Sequence, residues 1–138
     1  MASRDIKDLS ASLQPIAQDF IDQCADQGII VKLICTYRSN EEQDVDYAQG
    51  RTAAGKIITE LKGGQSAHNC VDSAGNPAAQ AFDFGVFESD GTYVSSGADP
   101  RYHQAGTIGE SLGMTWGGEW HHPVDLDHFE TKNWRTNT

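Results

Sequence analysis

The sequence predicts an α+β domain in which helices pack on one side of a small, mostly antiparallel sheet. Three observations lead there. An amphipathic stretch with apolar residues at three-and-four spacing lies near the start, β-branched and aromatic runs bounded by glycine turns follow it, and a second helical stretch separates those runs. Short strands and helices mixed without a regular strand-helix-strand repeat are the pattern of this fold class.

Leu9, Leu13, Ile16, Ala17, Phe20, Ile21 and Cys24 recur at helical spacing, so the first helix buries one face, and Gly28 is placed to end it. Pro15 is tolerated in a first turn and costly later, which sets the regular helix to begin near Ser12. Ile29 to Thr36, IIVKLICT, is short and β-branched and reads as a strand that delivers Tyr37 and Arg38 to its C-terminal end. Ser39 with Glu42 three residues on is a capping-box pair, opening a short helix from Asn40 to about Ala48 that stops at Gly50. From Arg51 to Ala67 the glycines at 55, 63 and 64 punctuate a loop, with Lys56 to Thr59 a candidate short strand. Ala79 to Phe87 is apolar and aromatic, Ser89-Asp90-Gly91 is a turn, and Thr92 to Val94 completes a hairpin. Asp99-Pro100 combines an N-cap with proline at the first helical position, and Ala105, Ile108 and Leu112 line one face up to Gly113. The remainder, MTWGGEWHHPVDLDHFE, is broken by glycine, and Phe129 suits a final strand.

The 138 residues carry no internal repeat, low-complexity tract or linker, so one domain spanning 1–138 is expected. With 20 acidic against 10 basic residues the formal charge is -10, which argues against a broad footprint for nucleic acid or anionic lipid. No apolar run approaches the roughly 20 residues of a membrane span, and MASRDIKDLSASLQ lacks the apolar segment of a signal peptide. A monomer made in the cytoplasm, with no membrane or nucleic-acid partner, is the expectation. Cys24, Cys35 and Cys70 are odd in number and lack C-x-x-C spacing, so no disulfide framework is expected; Cys24 and Cys35 read as small buried hydrophobes.

Five histidines stand at 68, 103, 121, 122 and 128. His68 follows a Gly-Gly-Gln-Ser-Ala loop able to turn its imidazole inward, and His128 lies three residues after Asp125. Asp83 interrupts the apolar run Ala81-Phe82-Asp83-Phe84, where a carboxylate must be paired, hydrogen-bonded or bound to a cation. Two imidazoles and one carboxylate suit one Zn²⁺ and leave a fourth tetrahedral position for water. Such water is acidified toward a pKa of about 7, and a carboxylate must still take its proton and pass it to the leaving amine. Asp125 suits that role if the backbone turns between 125 and 128, since residues three apart on a strand face opposite ways. Arg38 has two readings: a fork for a substrate carboxylate or oxyanion, or a salt bridge to Glu41, Glu42 or Asp44.

Together, CTYRSNEEQ (35–43), YAQGRT (47–52), GKIIT (55–59), KGGQSAHN (62–69), AFDF (81–84), WGGEW (116–120) and DLDHFE (125–130) resemble the zinc peptidases of the D-alanyl-D-alanine carboxypeptidase and L-alanyl-D-glutamate endopeptidase family. That group includes bacteriophage endolysins and bacterial cell-wall hydrolases. The matches run in family order from about residue 9 to 130. The resemblance implies the α+β fold of the hedgehog and D,D-peptidase type, and a zinc held by His68 of the S-x-H motif, Asp83 of A-x-D and His128 of D-x-x-H. It implies Asp125 as the acid/base carboxylate, Arg38 of Y-R-S as the substrate or transition-state cation, and Ser66 as an orienting residue. Peptidoglycan stem peptides are the implied substrate. Relatives often space the first histidine and the aspartate by seven residues; here VDSAGNPAAQ intervenes, read as a hairpin-like insertion, with Asp72 a rival ligand.

Trp116, Glu119 and His121 are candidate substrate contacts beside Ser66, whereas His103 is expected at the surface and His122 at the rim. Three functions fit: an endopeptidase cutting the L-Ala–D-Glu bond through attack by a metal-bound water, as a phage or prophage endolysin acting on the wall after release; a carboxypeptidase removing terminal D-alanine; and a non-catalytic zinc-stabilised wall-binding module. Asp125 favours catalysis over the third.

Overall fold

A computed structural model describes residues 2–121 and 124–136. Helix α1 spans Leu13–Asp26, β1 Ile30–Cys35, α2 Asn40–Ala48, β2 Ala81–Phe87, β3 Tyr93–Val94, α3 Pro100–Ser111, β4 Met114–Trp116 and β5 His128–Thr131. The local signals act as the sequence predicts. Ser12 stands at the start of α1, the reciprocal Ser39–Glu42 capping box opens α2, and Asp99 caps α3 ahead of Pro100 by accepting from the Arg101 amide. One reading is corrected, and one strand is added to those expected. Lys56 to Thr59 forms no strand; its carbonyls accept from side chains instead, Lys56 from Gln49 and Thr59 from Arg51. Met114–Trp116 is a strand, which three residues before a Gly-Gly pair do not announce.

The sheet runs β1-β2-β5-β4 with β3 alongside the far half of β2, and every pairing is antiparallel. Strand alternation sorts its two faces. Phe82, Phe84 and Val86 of β2 and Phe129 of β5 point into a core with Leu13, Ala17 and Phe20 of α1 and Tyr102 and Ala105 of α3. Phe20 sits 4.9 Å from Phe129 and 5.1 Å from Phe84, ring centre to ring centre. Asp83, between two core phenylalanines, therefore faces the opposite side, as do His128 and Glu130 beside Phe129. In β1 the parity changes on purpose: a bulge between Leu33 and Cys35 pairs Leu33 with Phe84 but Cys35 with Asp83, moving Cys35 to the Asp83 face.

Candidate active site

The register Cys35↔Asp83↔His128 sets three polar side chains in a row across β1, β2 and β5. His68 joins them from a 3-10 turn over Ala67–Asn69, whose N-cap Ser66 accepts from the His68 amide at 3.2 Å. Two backbone bonds dock that turn on the sheet, Arg38 N–H to the His68 carbonyl and Gln80 N–H to the Ala67 carbonyl. His68 Nε2 then lies 3.3 Å, and His128 Nδ1 2.9 Å, from the same Asp83 oxygen.

The second nitrogen of each imidazole is held by an acceptor. His68 Nδ1 donates to the Thr36 carbonyl at 2.7 Å, and His128 Nε2 donates to Glu130 at 2.9 Å. Each ring is thereby fixed with its opposite nitrogen facing Asp83, the arrangement that orients metal-ligating histidines. Ligands about 2.0–2.1 Å from a tetrahedral zinc stand roughly 3.3 Å apart, close to the two distances found. Nitrogen, nitrogen and carboxylate oxygen thus fit zinc in chemistry and in spacing. Burial opposes a charge on either imidazole, yet Asp83 outweighs it. His68 is pushed well above its ordinary range by the Asp83 charge and hydrogen bond, and His128 up to about 9 by its bonds to Asp83 and Glu130. Asp83 is itself buried, which favours its neutral form, but the two imidazoles hold it far below the usual carboxylate range.

Asp125 stands beside this set. Its amide donates to the Gly117 carbonyl at 2.9 Å, and its own carbonyl accepts from the His128 amide, so the chain turns between 125 and 128 as the proposed role requires. Donor atoms of Asp83, Asp125 and His128 all lie within 4.8 Å of one another. Those of Cys35, His68 and Asp83 do so too, which corrects the reading of Cys35 as a plain hydrophobe: its Sγ lies 3.7 Å from His68 Nδ1. Cys24, by contrast, is a core thiol that burial pushes up to about 12. Asp127 is pushed up to about 8 by burial, a hydrogen bond with Asp125 and the Asp83 charge. Asp72 is remote in role: it accepts from the Ala74 and Asn76 amides and closes the insertion, whose stem is an antiparallel bridge between Val71 and Pro77.

A cleft of about 360 Å³ opens over the site, bringing together Arg38, Ser66, His68, Asp83, Asp125 and His128, with Trp120 as a wall 5.1 Å from the His128 ring. Arg38 pairs with Asp46 at 3.2 Å, two residues beyond the last of the three acids considered for it, while still lining the cleft. Trp116 does not line it. It is 4% exposed in the core, and its indole N–H donates to the Leu126 carbonyl. Glu119 is exposed outside the cleft, and His121 lines a neighbouring depression with Ile57, Ile58 and Val124. His103 is exposed as expected, and His122 lies outside the described residues. Gln43, Glu130, Trp134 and Arg135 also line the cleft and were not singled out by sequence. Only Glu130 carried a signal: two residues along a strand from His128, it shares that residue's face.

Residues 62–131 match the family model described as D-alanyl-D-alanine carboxypeptidase. The chain is 31% identical over 131 residues, 87% of its length and 74% of the relative's, to the peptidoglycan L-alanyl-D-glutamate endopeptidase CwlK of Bacillus subtilis. Its fold is similar to the Serratia marcescens L-Ala D-Glu endopeptidase ChiX, with TM-score 0.67 and 14% identity, covering 100% of this chain and 93% of that one. It is also similar to a mutant of the vancomycin resistance D,D-pentapeptidase VanY from a VanB-type cassette in complex with Zn(II), with TM-score 0.61 and 13% identity, covering 89% and 72%.

Proposed function

Since the chain belongs to the D-alanyl-D-alanine carboxypeptidase family, and is a zinc metallopeptidase acting on peptidoglycan, we propose that it hydrolyses the L-Ala–D-Glu bond of the stem peptide. The observation that carries the choice of bond is its likeness to CwlK over most of both chains. In this reading residues 1–138 act as one peptidase domain and His68, Asp83 and His128 hold the zinc.

Zinc held there supplies a Lewis acid that polarises the scissile carbonyl and acidifies water at neutral pH. The rest is the work of the chain's own groups. The Asp125 carboxylate takes a proton from the attacking water and returns it to the amine that leaves. Arg38, at the cleft wall, offers N–H groups to a substrate carboxylate or to the oxyanion. Glu130 and the Thr36 carbonyl hold the two imidazoles in the tautomers that present Nδ1 of His128 and Nε2 of His68. Trp120 walls one side of the cleft beside the His128 ring.

The deciding experiment is digestion of purified peptidoglycan by the zinc-loaded protein, with fragments and new termini identified by mass spectrometry. New D-glutamate amino termini, with L-alanine left on the glycan, are expected. Loss of single alanines would make it a carboxypeptidase. No cleavage with zinc bound would leave a wall-binding module. A phage or prophage endolysin role is supported by the motif resemblance and predicts lysis when the chain is expressed together with a membrane pore.

A further inference from the structure

Gln43 is 1% exposed on α2, and its whole amide is engaged. Oε1 accepts from Arg38 Nη1 at 3.0 Å and from Asn69 Nδ2 at 3.5 Å. Nε2 donates to the Leu61 carbonyl at 2.9 Å and to Thr59 Oγ1 at 3.4 Å. Donors on one side and a carbonyl on the other fix which end of the amide is which. A buried amide is costly unless bonded, and a leucine would fill the space without that demand. What the amide adds is linkage. Arg38 is held by Gln43 at Nη1, by Asp46 at Nε and by Cys35 Sγ at Nη2, so the whole guanidinium is fixed. Thr59 and Leu61 stand on the cleft wall beside it, and Asn69 closes the turn that carries His68.

We propose that Gln43 is a positioning residue of the peptidase site: one buried amide ties Arg38, the 59–61 wall of the cleft and the His68 turn into a single unit. The proposal rests on the reading of Arg38 as the substrate-facing cation. A guanidinium freed from Gln43 keeps its charge but loses its direction, and misplacement on the order of 1 Å costs about 10²-fold in rate.

The test is a double-mutant cycle on a soluble muropeptide that retains the L-Ala–D-Glu bond. Gln43→Met keeps the volume and removes every hydrogen bond; it is expected to lower kcat/KM by about 10- to 100-fold with zinc stoichiometry unchanged. In an Arg38→Ala background the same substitution should cost several-fold less than it does in the wild type, because the cation it positions is gone and only its ties to the 59–61 wall and the His68 turn remain. Losses that multiply would overturn the proposal and leave Gln43 a fold residue. Wild-type kinetics for Arg38→Ala alone would instead remove the cation reading beneath it. Gln43→Glu supplies a second arm should the methionine variant not fold: it keeps the acceptor for Arg38 and should retain more kcat than the arginine deletion, and an equal loss counts against the proposal.

Discussion

Asp125 touches the site without belonging to the His68–Asp83–His128 set, and that separation makes it testable. Asp125→Ala deletes a base but no proposed ligand, so zinc content should stay at wild type while turnover falls by about 10²- to 10⁴-fold; an active variant removes Asp125 from the role. The histidines predict a pH effect on metal uptake. In the metal-free protein His128 is raised from 6.5 to about 9 and His68 also stands high, so both carry protons at pH 7 that zinc must displace. Apparent zinc affinity should therefore climb from pH 6 to 9, with proton release visible by calorimetry in buffers of different ionisation enthalpy. A flat affinity over that range would separate the imidazoles from the metal.

Helix α3 is the element whose packing is set by what its residues lack. Gly106 and Gly109 lie in its interior, each costing helix propensity, yet a Cβ at Gly109 would overlap the Phe129 ring and one at Gly106 the Trp116 indole. The helix thus lies directly against β4 and β5, the strands that carry Trp116 and His128. Gly109→Ala should lower stability by about 1–3 kcal/mol despite its better propensity, since Phe129 is wedged among Phe20, Phe82 and Phe84 and has nowhere to move. Chemical denaturation reads this directly, and a stabilised variant would show that the ring yields. At the start of the same helix, Asp99 is held down to about 2 by its bonds to Arg101. Its contribution is present above the ordinary carboxylate range and lost as pH falls from about 4 to 2, so Asp99→Asn should flatten the acid limb of the pH–stability curve.

On the scale of the whole molecule, α1 and α3 cover one face of the sheet and the site occupies the other, so the three proposed ligands are tied to the fold through two strands, β2 and β5, and one docked turn. Zinc binding only the native state stabilises it by about 2.7 kcal/mol at a hundredfold excess over Kd. Chelation should lower Tm, and His68→Ala or His128→Ala should abolish the zinc-dependent part of that Tm. The metal-free protein has its own pH signature: histidines raised on folding stabilise it below about 6.5, and that contribution is lost as pH rises through about 9. No described helix is long and apolar enough to cross a membrane.

Much of this was legible in the chain. The caps at Ser39 and Asp99, the three-and-four stripe of α1 and the β-branched run of β1 are local signals, readable because capping and periodicity act over a few residues. The motif residues His68, Asp83, Asp125 and His128 were legible as a resemblance, and the turn between 125 and 128 was required in advance. Tertiary structure alone decided the rest. Trp116 went to the core because Gly106 of α3 leaves room for its indole, and Arg38 found Asp46 because helical spacing carried that acid round to it. Cys35 joined the site because one bulge reverses strand parity, and Gln43 became a hub because segments up to 26 residues away converge on its amide. Those outcomes depend on contacts between distant segments, which no window along the sequence contains.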